Sequence, residues 1–277
     1  MNIHTTRTSR RVIALAAASA IALGLAGCST GDDAGSGDED GLGTIRVGAL
    51  PTPAGELLEW VDENLGEEAG LDIEFVSFTD YNTPNPALTD GSTDANLFQN
   101  LTFLETYNEQ AGGELVSVGE IYLPAAAFYS DKISDISELE DGADIAIPND
   151  PTNEGRALWM LAEEGLIEIQ DGATNLDGIT SNPQNFNFTE VENASLALAL
   201  PDTDIAFVTA SFALPAGLTQ DDAILLEGTN SDYFNILATT PELENDPRIV
   251  KLVELLTDER TKEYINETWS GLIVPVD

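Results

Sequence analysis

The stretch "NDPTNEGR", residues 149–156, carries the side chain most suggestive of chemistry. Its Arg156 is the only Lys or Arg between Lys132 and Arg248. It falls at or just after the first turn of the helix predicted over "TNEGRALWMLAEEGLI", where the backbone dipole disfavours a cation. A helix start offers unpaired backbone N–H groups to an anion, here with Thr152 or Asn153 as the expected cap. A guanidinium beside them can hold a carboxylate through two parallel, charge-assisted bonds. An ion pair along the helix would need an acid three or four positions away. Those positions carry Thr152, Asn153, Trp159 and Met160, none of them acidic. A tertiary acid stays open as a partner, but the pattern favours a ligand carboxylate completing the site.

Further candidates sit at predicted strand ends. Tyr81 lies in the loop "FTDYNTPN", and Phe98, Asn100 and Phe103 cluster in "LFQNLTF". Thr209 ends the strand "DIAFV", and Asn235 lies on a strand expected to return to the first half of the chain. Each has a plainer role beside the binding one. The aromatics can pack in the core, Thr209 can cap a helix, and Asn235 can be a satisfied buried amide.

Composition removes whole classes of function. Of 277 residues, 10 are basic and 50 acidic, a formal net charge of −40. Nucleic acid and anionic membrane surfaces are poor partners for such a chain. The single His (His4) and single Cys (Cys28) both fall within residues 1–28. The remainder therefore holds no Ser-His-Asp or Cys-His nucleophile pair and no His-based metal site. It contains no GxxxxGK[ST] loop and no GxGxxG after a strand. No pair of carboxylates stands out by spacing. The expectation is a binding protein without turnover, cofactor or metal.

The elements that position these residues read as follows. Residues 1–28 combine Arg7, Arg10 and Arg11 with the apolar "VIALAAASAIALGLA" and end in "LAGC". This reads as a signal peptide, and "LAGC" resembles a lipobox, which implies cleavage before Cys28 and a lipid on its sulfur. "SRRVIA" weakly resembles a twin-arginine signal, so the export route stays open. Residues 29–43, "STGDDAGSGDEDGLG", read as a flexible acidic tether. "TIRVGAL" is a first strand, followed by a helix with Leu57, Leu58, Val61 and Leu65 on one face. Strands and helices then alternate through "LDIEFVSF", "PALTDGSTDANLF", "LTFLETYNEQAGG" and "ELVSVGEIYLPAAAFYS". The pattern restarts at "ADIAIP", and the chain closes on a helix capped by Asp246 with Ile249, Val250, Leu252, Val253 and Leu256 as its buried face. Such an order predicts mainly parallel sheets and two α/β units, with the ligand beyond the carboxyl ends of the strands, in the cleft between the units.

"IRVG", "GLDIEFVSFTDYNTPNPALTDGSTDANLFQ", "ELVSVG", "AIPNDPTNEGRAL", "LIEIQDG" and "DYFNIL" together resemble the methionine-binding NlpA/MetQ lipoproteins, substrate-binding components of ABC uptake transporters. The resemblance runs from about residue 44 to the end. It implies an α/β, two-lobed periplasmic-binding-protein fold of type II, with two crossover strands and an interlobe cleft. The implied lobes are 44–123 plus 234–277, and 124–233. It implies that Arg156 holds a ligand carboxylate, that Tyr81 and Phe98 cradle the ligand side chain, and that Asn235 contacts it. It also implies a lipid-anchored monomer on the outer face of the cytoplasmic membrane, delivering methionine or a related small amino acid to a permease and its ATPase. A different ligand, such as a short peptide, or a non-transport structural role is the alternative. The chain departs from the family's "FQHxPYL" with Asn100, Thr102 and Phe103, and from its "INxxYA" with Thr209 and Phe212. The amine and side-chain end of the site is thus altered.

Overall fold

The structure, a computed structural model, describes residues 41–228, 231–269 and 271–277. The signal peptide, Cys28 and the tether up to residue 40 lie outside the described residues. Among the described residues no helix is long and apolar enough to cross a membrane.

Strand β1 (Gly43–Ala49) leads through a helical run containing α1 (Glu56–Val61) and α2 (Glu67–Ala69) to β2 (Leu71–Ser77). Helix α3 (Pro84–Thr89), β3 (Ala95–Asn100), α4 (Leu101–Ala111) and β4 (Val116–Pro124) follow. The apolar spacing works as read, since Leu57, Leu58, Val61 and Leu65 are all buried against Ile45 and Val47 of β1. Leu42 and Gly43 belong to the fold and not to the tether. The Leu42 N–H donates to Gly70 O at 2.5 Å, and Gly43 pairs in register with Leu71.

The chain then enters a second sheet. Its elements are β5 (Ala126–Tyr129), β6 (Asp144–Pro148), α5 (Pro151–Glu163), the small antiparallel pair β7 (Glu168–Ile169) and β8 (Ile179–Ser181), β9 (Asn187–Val191), α6 (Asn193–Ala199), β10 (Ile205–Thr209), α7 (Ala210–Ala213) and β11 (Ala223–Leu226). It returns with β12 (Asn235–Thr239), helices α8 (Pro247–Leu256) and α9 (Glu259–Thr268), and β13 (Ile273–Pro275). The six-stranded sheet has order β13-β4-β12-β3-β1-β2 and the five-stranded sheet β11-β5-β10-β6-β9. Two lobes result, joined where the chain passes from β4 to β5 and from β11 to β12.

The sheets are mixed, not mainly parallel. β1 pairs parallel with β2 and β3, and β6 with β9 and β10. The return strand β12 inserts antiparallel between β3 and β4, and β5 runs antiparallel to β10 and β11. Local apolar runs do not encode this, because the returning chain enters the sheet from the opposite end. Val250 is a second correction. It is 48% exposed, while Ile249, Leu252, Leu255 and Leu256 form the buried face of α8.

Candidate ligand-binding site between the two lobes

All seven residues singled out in the sequence (Tyr81, Phe98, Asn100, Phe103, Arg156, Thr209 and Asn235) line one cavity, joined by Gln99, Pro124 and Asn153. The first lobe contributes the loop after β2, the end of β3 and the start of α4. The second contributes α5 and the end of β10. The cavity is tight, with about 20 Å³ open to the centre of a water, so it holds roughly one water. An amino acid can enter only if the lobes part.

Aromatic rings close one side. Tyr81 lies 5.9 Å from Phe98, 6.0 Å from Phe103 and 5.0 Å from Phe212 of the opposite lobe, centroid to centroid. These are the offset and edge contacts that aromatic quadrupoles prefer. The Tyr81 hydroxyl also shares a hydrogen bond with Thr209 Oγ1 at 3.0 Å, across the cleft. Burial pushes the Tyr81 pKa up, against the opposing pull of Ser211 and Thr209. The hydroxyl therefore stays neutral and can both donate and accept. Thr209 stands at the N-cap of α7, yet its side chain does not cap the helix and is left for Tyr81.

The polar groups are held from behind. Asn100 caps α4, its Oδ1 accepting the Phe103 N–H at 2.9 Å. Asn235 Nδ2 donates to the Tyr122 hydroxyl at 3.3 Å, and burial raises the pKa of that tyrosine. Gln99 and Asn85 exchange two hydrogen bonds of 2.7 Å, and Asn96 Nδ2 donates to Pro84 O at 2.8 Å. These buried amides pin α3 to β3 and so fix Phe98. A satisfied amide network of this kind rigidifies what it touches.

Arg156 does not wait unpaired for an external acid. Its side chain is buried against Glu227, which follows β11. Nε donates to Glu227 Oε1 at 2.8 Å, Nη2 donates to Oε2, and Nη2 also donates to Pro124 O at 2.9 Å. The guanidinium carbon lies 4.6 Å from the centroid of the Tyr233 ring, a cation–π contact. Nη1 has no hydrogen-bond partner among the described residues. The tertiary acid left open by the sequence is therefore present, 71 positions away.

The start of α5 is also occupied from within. Asp150, and neither Thr152 nor Asn153, caps it, with Oδ1 accepting the Asn153 N–H at 2.9 Å. Asp150 further accepts from Asn153 Nδ2 and from Asn193 Nδ2. Its carboxylate takes the place that an external anion would have at the helix dipole. Gly155 has a packing reason, since a Cβ there would lie 2.7 Å from Ala173 O. Its absence lets α5 seat against the 173–174 turn one residue before Arg156.

A family model described as NlpA lipoprotein matches residues 45–277, nearly the whole described chain. The chain belongs to the NlpA lipoprotein family. It is 36% identical over 256 residues to the D-methionine-binding lipoprotein MetQ of Salmonella typhi, covering 90% of this chain and 92% of that one. An ABC transporter periplasmic substrate-binding protein of Coxiella burnetii superposes with a TM-score of 0.81 at 37% identity, over 84% of this chain and 100% of that chain. A nutrient-binding protein of Burkholderia cenocepacia bound to methionine superposes equally well, at 34% identity and the same coverages. The two-lobed fold expected of an NlpA-family chain is thus present.

Within this NlpA-family site, Gln99, Pro124, Tyr233 and above all Glu227 were not anticipated from the sequence, and Asn153 was expected only as a helix cap. Gln99 and Asn153 stood inside the quoted "DANLFQ" and "NDPTNEGR" stretches. Glu227 carried one faint signal, an acid placed directly after the apolar "AILL" at a strand end.

Proposed function

We propose that this NlpA-family chain is the substrate-binding component of an ABC importer, lipid-anchored through Cys28 at the outer face of the cytoplasmic membrane. It captures methionine or a closely related amino acid between its lobes and delivers it, as a monomer, to a permease and its ATPase. One observation carries the reading. Arg156 is the only charged side chain lining the cavity among the described residues, and it faces a wall of Tyr81, Phe98 and Phe103 with Asn100, Thr209 and Asn235 between. That arrangement offers guanidinium N–H to a carboxylate, amide and hydroxyl groups to an ammonium, and apolar rings to a thioether side chain. The names of the relatives support methionine as the ligand. No bond is made or broken. Ligand entry parts the Tyr81–Thr209 contact, and closure over the ligand restores it and excludes water.

Calorimetric titration of the chain with L- and D-methionine tests the proposal. Binding of at least one enantiomer is expected, and saturating ligand at about 100 times its Kd should add roughly 2.7 kcal/mol to stability. Absence of heat and of any thermal shift across the amino acids would refute it. The shallow groove beyond Tyr81 and Phe103, lined also by Asn82, Tyr107, Gln110 and Asp150, favours a second reading in which a short peptide extends out of the cavity. Methionine dipeptides included in the same titrations decide between the two.

A further inference from the structure

Glu227 is fully buried and lies on the connection from β11 back to β12. We propose that Glu227 is a specificity-determining positioning residue, which orients Arg156 toward the cavity and cancels its charge so that the site selects a zwitterion over an anion. The inference rests on the amino-acid-binding reading above.

The orientation follows from which hydrogens are taken. Glu227 occupies the Nε and Nη2 edge of the guanidinium, Pro124 O takes Nη2 again, and Tyr233 lies against the guanidinium group. Among the described residues Nη1 alone has no partner, and it is what remains for a ligand. The side chain is thus fixed before the ligand arrives, and its rotamer entropy is already lost in the folded protein. Glu227 itself has nothing left to offer. Oε1 accepts from Arg156 Nε and from Ser231 Oγ at 3.0 Å, and Oε2 accepts from Arg156 Nη2 and from the Ala126 N–H at 3.1 Å. Glu227 therefore acts on a ligand through Arg156.

Glu227 also sets the charge of the site. A lone buried guanidinium would attract any carboxylate, including anions without an ammonium group. With Glu227 bonded to it, the pair presents no net charge to a cavity whose other lining residues are uncharged. An amino acid, also net neutral, enters without a charge imbalance. A carboxylate lacking the ammonium brings an uncompensated negative charge into a dry site.

Two ligands that differ only in the ammonium test this: L-methionine and 4-(methylthio)butanoate. Their affinities are measured for wild type, Glu227→Gln and Glu227→Asp. Wild type should prefer methionine, Glu227→Gln should shrink that preference roughly tenfold or more, and Glu227→Asp should retain it. A Glu227→Gln protein with the wild-type preference would show that Glu227 is merely structural, whatever its effect on stability. Where Glu227→Gln does not fold, wild-type crystals with methionine decide. The ligand carboxylate is expected at Nη1 with Glu227 still on Nε and Nη2, and displacement of Glu227 by the ligand overturns the proposal. Failure of wild type to bind either compound removes methionine as the ligand and this inference with it, whereas methionine binding with an unaltered preference removes the inference alone.

Discussion

Deleting both halves of the Arg156–Glu227 pair should cost much less than the two single deletions summed. Arg156 is 1% exposed and Glu227 4% exposed, so neither charge is hydrated in the folded state. Glu227→Leu removes the acceptor of four hydrogen bonds, from Arg156 Nε and Nη2, Ala126 N and Ser231 Oγ, and leaves a buried guanidinium with Pro124 O as its one hydrogen-bond acceptor among the described residues and the Tyr233 ring beside it. Breaking a buried pair from one side costs about 3–5 kcal/mol, because the remaining charge stays desolvated. Arg156→Met should cost a similar amount, since it strands the Glu227 carboxylate with two weaker donors. The double variant keeps neither charge of the pair. It strands the Ala126 N–H and the Ser231 hydroxyl, at about 1–3 kcal/mol each. The coupling between the two sites is then several kcal/mol, the double variant costing less than the sum of the singles. Urea melts of the four proteins without ligand, with m-values checked for constancy, measure it. For a chain of this size, each single change should lower Tm by roughly 6–20 °C. A Glu227→Leu protein within about 1 kcal/mol of wild type, or a double variant as costly as both singles summed, would refute the view of the pair as one desolvated unit.

Glu154, on α5 between the cavity-lining Asn153 and Arg156, carries a pH prediction. It is 2% exposed, and burial first, then the like charges of Glu190, Asp150 and Asp177, push its carboxyl up to about 7 against a bond from the Leu176 N–H. A folded-state value above the ordinary 4.5 means that the unfolded chain gives up this proton first as pH rises. Stability is then fully present below about 4.5 and is lost as pH climbs through about 7. Glu154→Gln keeps an oxygen for Leu176 and should remove that loss, so the variant gains on wild type at pH 8 and not at pH 4.5 in parallel thermal melts. Gly155→Ala should cost about 1–3 kcal/mol by overpacking, because its Cβ would meet the backbone at Ala173 O and Thr174 Cα. The same urea melts read it, and a cost of a few tenths would show that the 173–174 turn yields freely.

The parts of the fold that periodicity encodes were legible, and the parts set by long-range closure were not. The buried faces of α1 and α8 follow from 3.6-residue spacing, although Val250 shows how the edge of an apolar stripe can face water. The mixed sheets depend on where β12 inserts, which strand-by-strand reading does not reveal. The cavity lining was legible through residue type at strand ends: aromatics, amides and one arginine in a chain of acids. The cap of α5 was misplaced by two or three positions because Asp, Thr and Asn all serve at a helix start, and only the backbone geometry chooses among them.

Glu227 illustrates the harder limit. With fifty acids in the chain, an acid next to any given arginine carries little information in one dimension. The absence of acids along the α5 face was real, but it excluded a local partner only. The tertiary partner comes from the β11–β12 connection, and the guanidinium also bonds Pro124 O at the end of β4, so this one pair ties together both passages between the lobes. A lone cation in an acidic chain is therefore better read as a group whose charge the fold must balance somewhere. In a site that closes between lobes, the economical place is a connection that already runs past it.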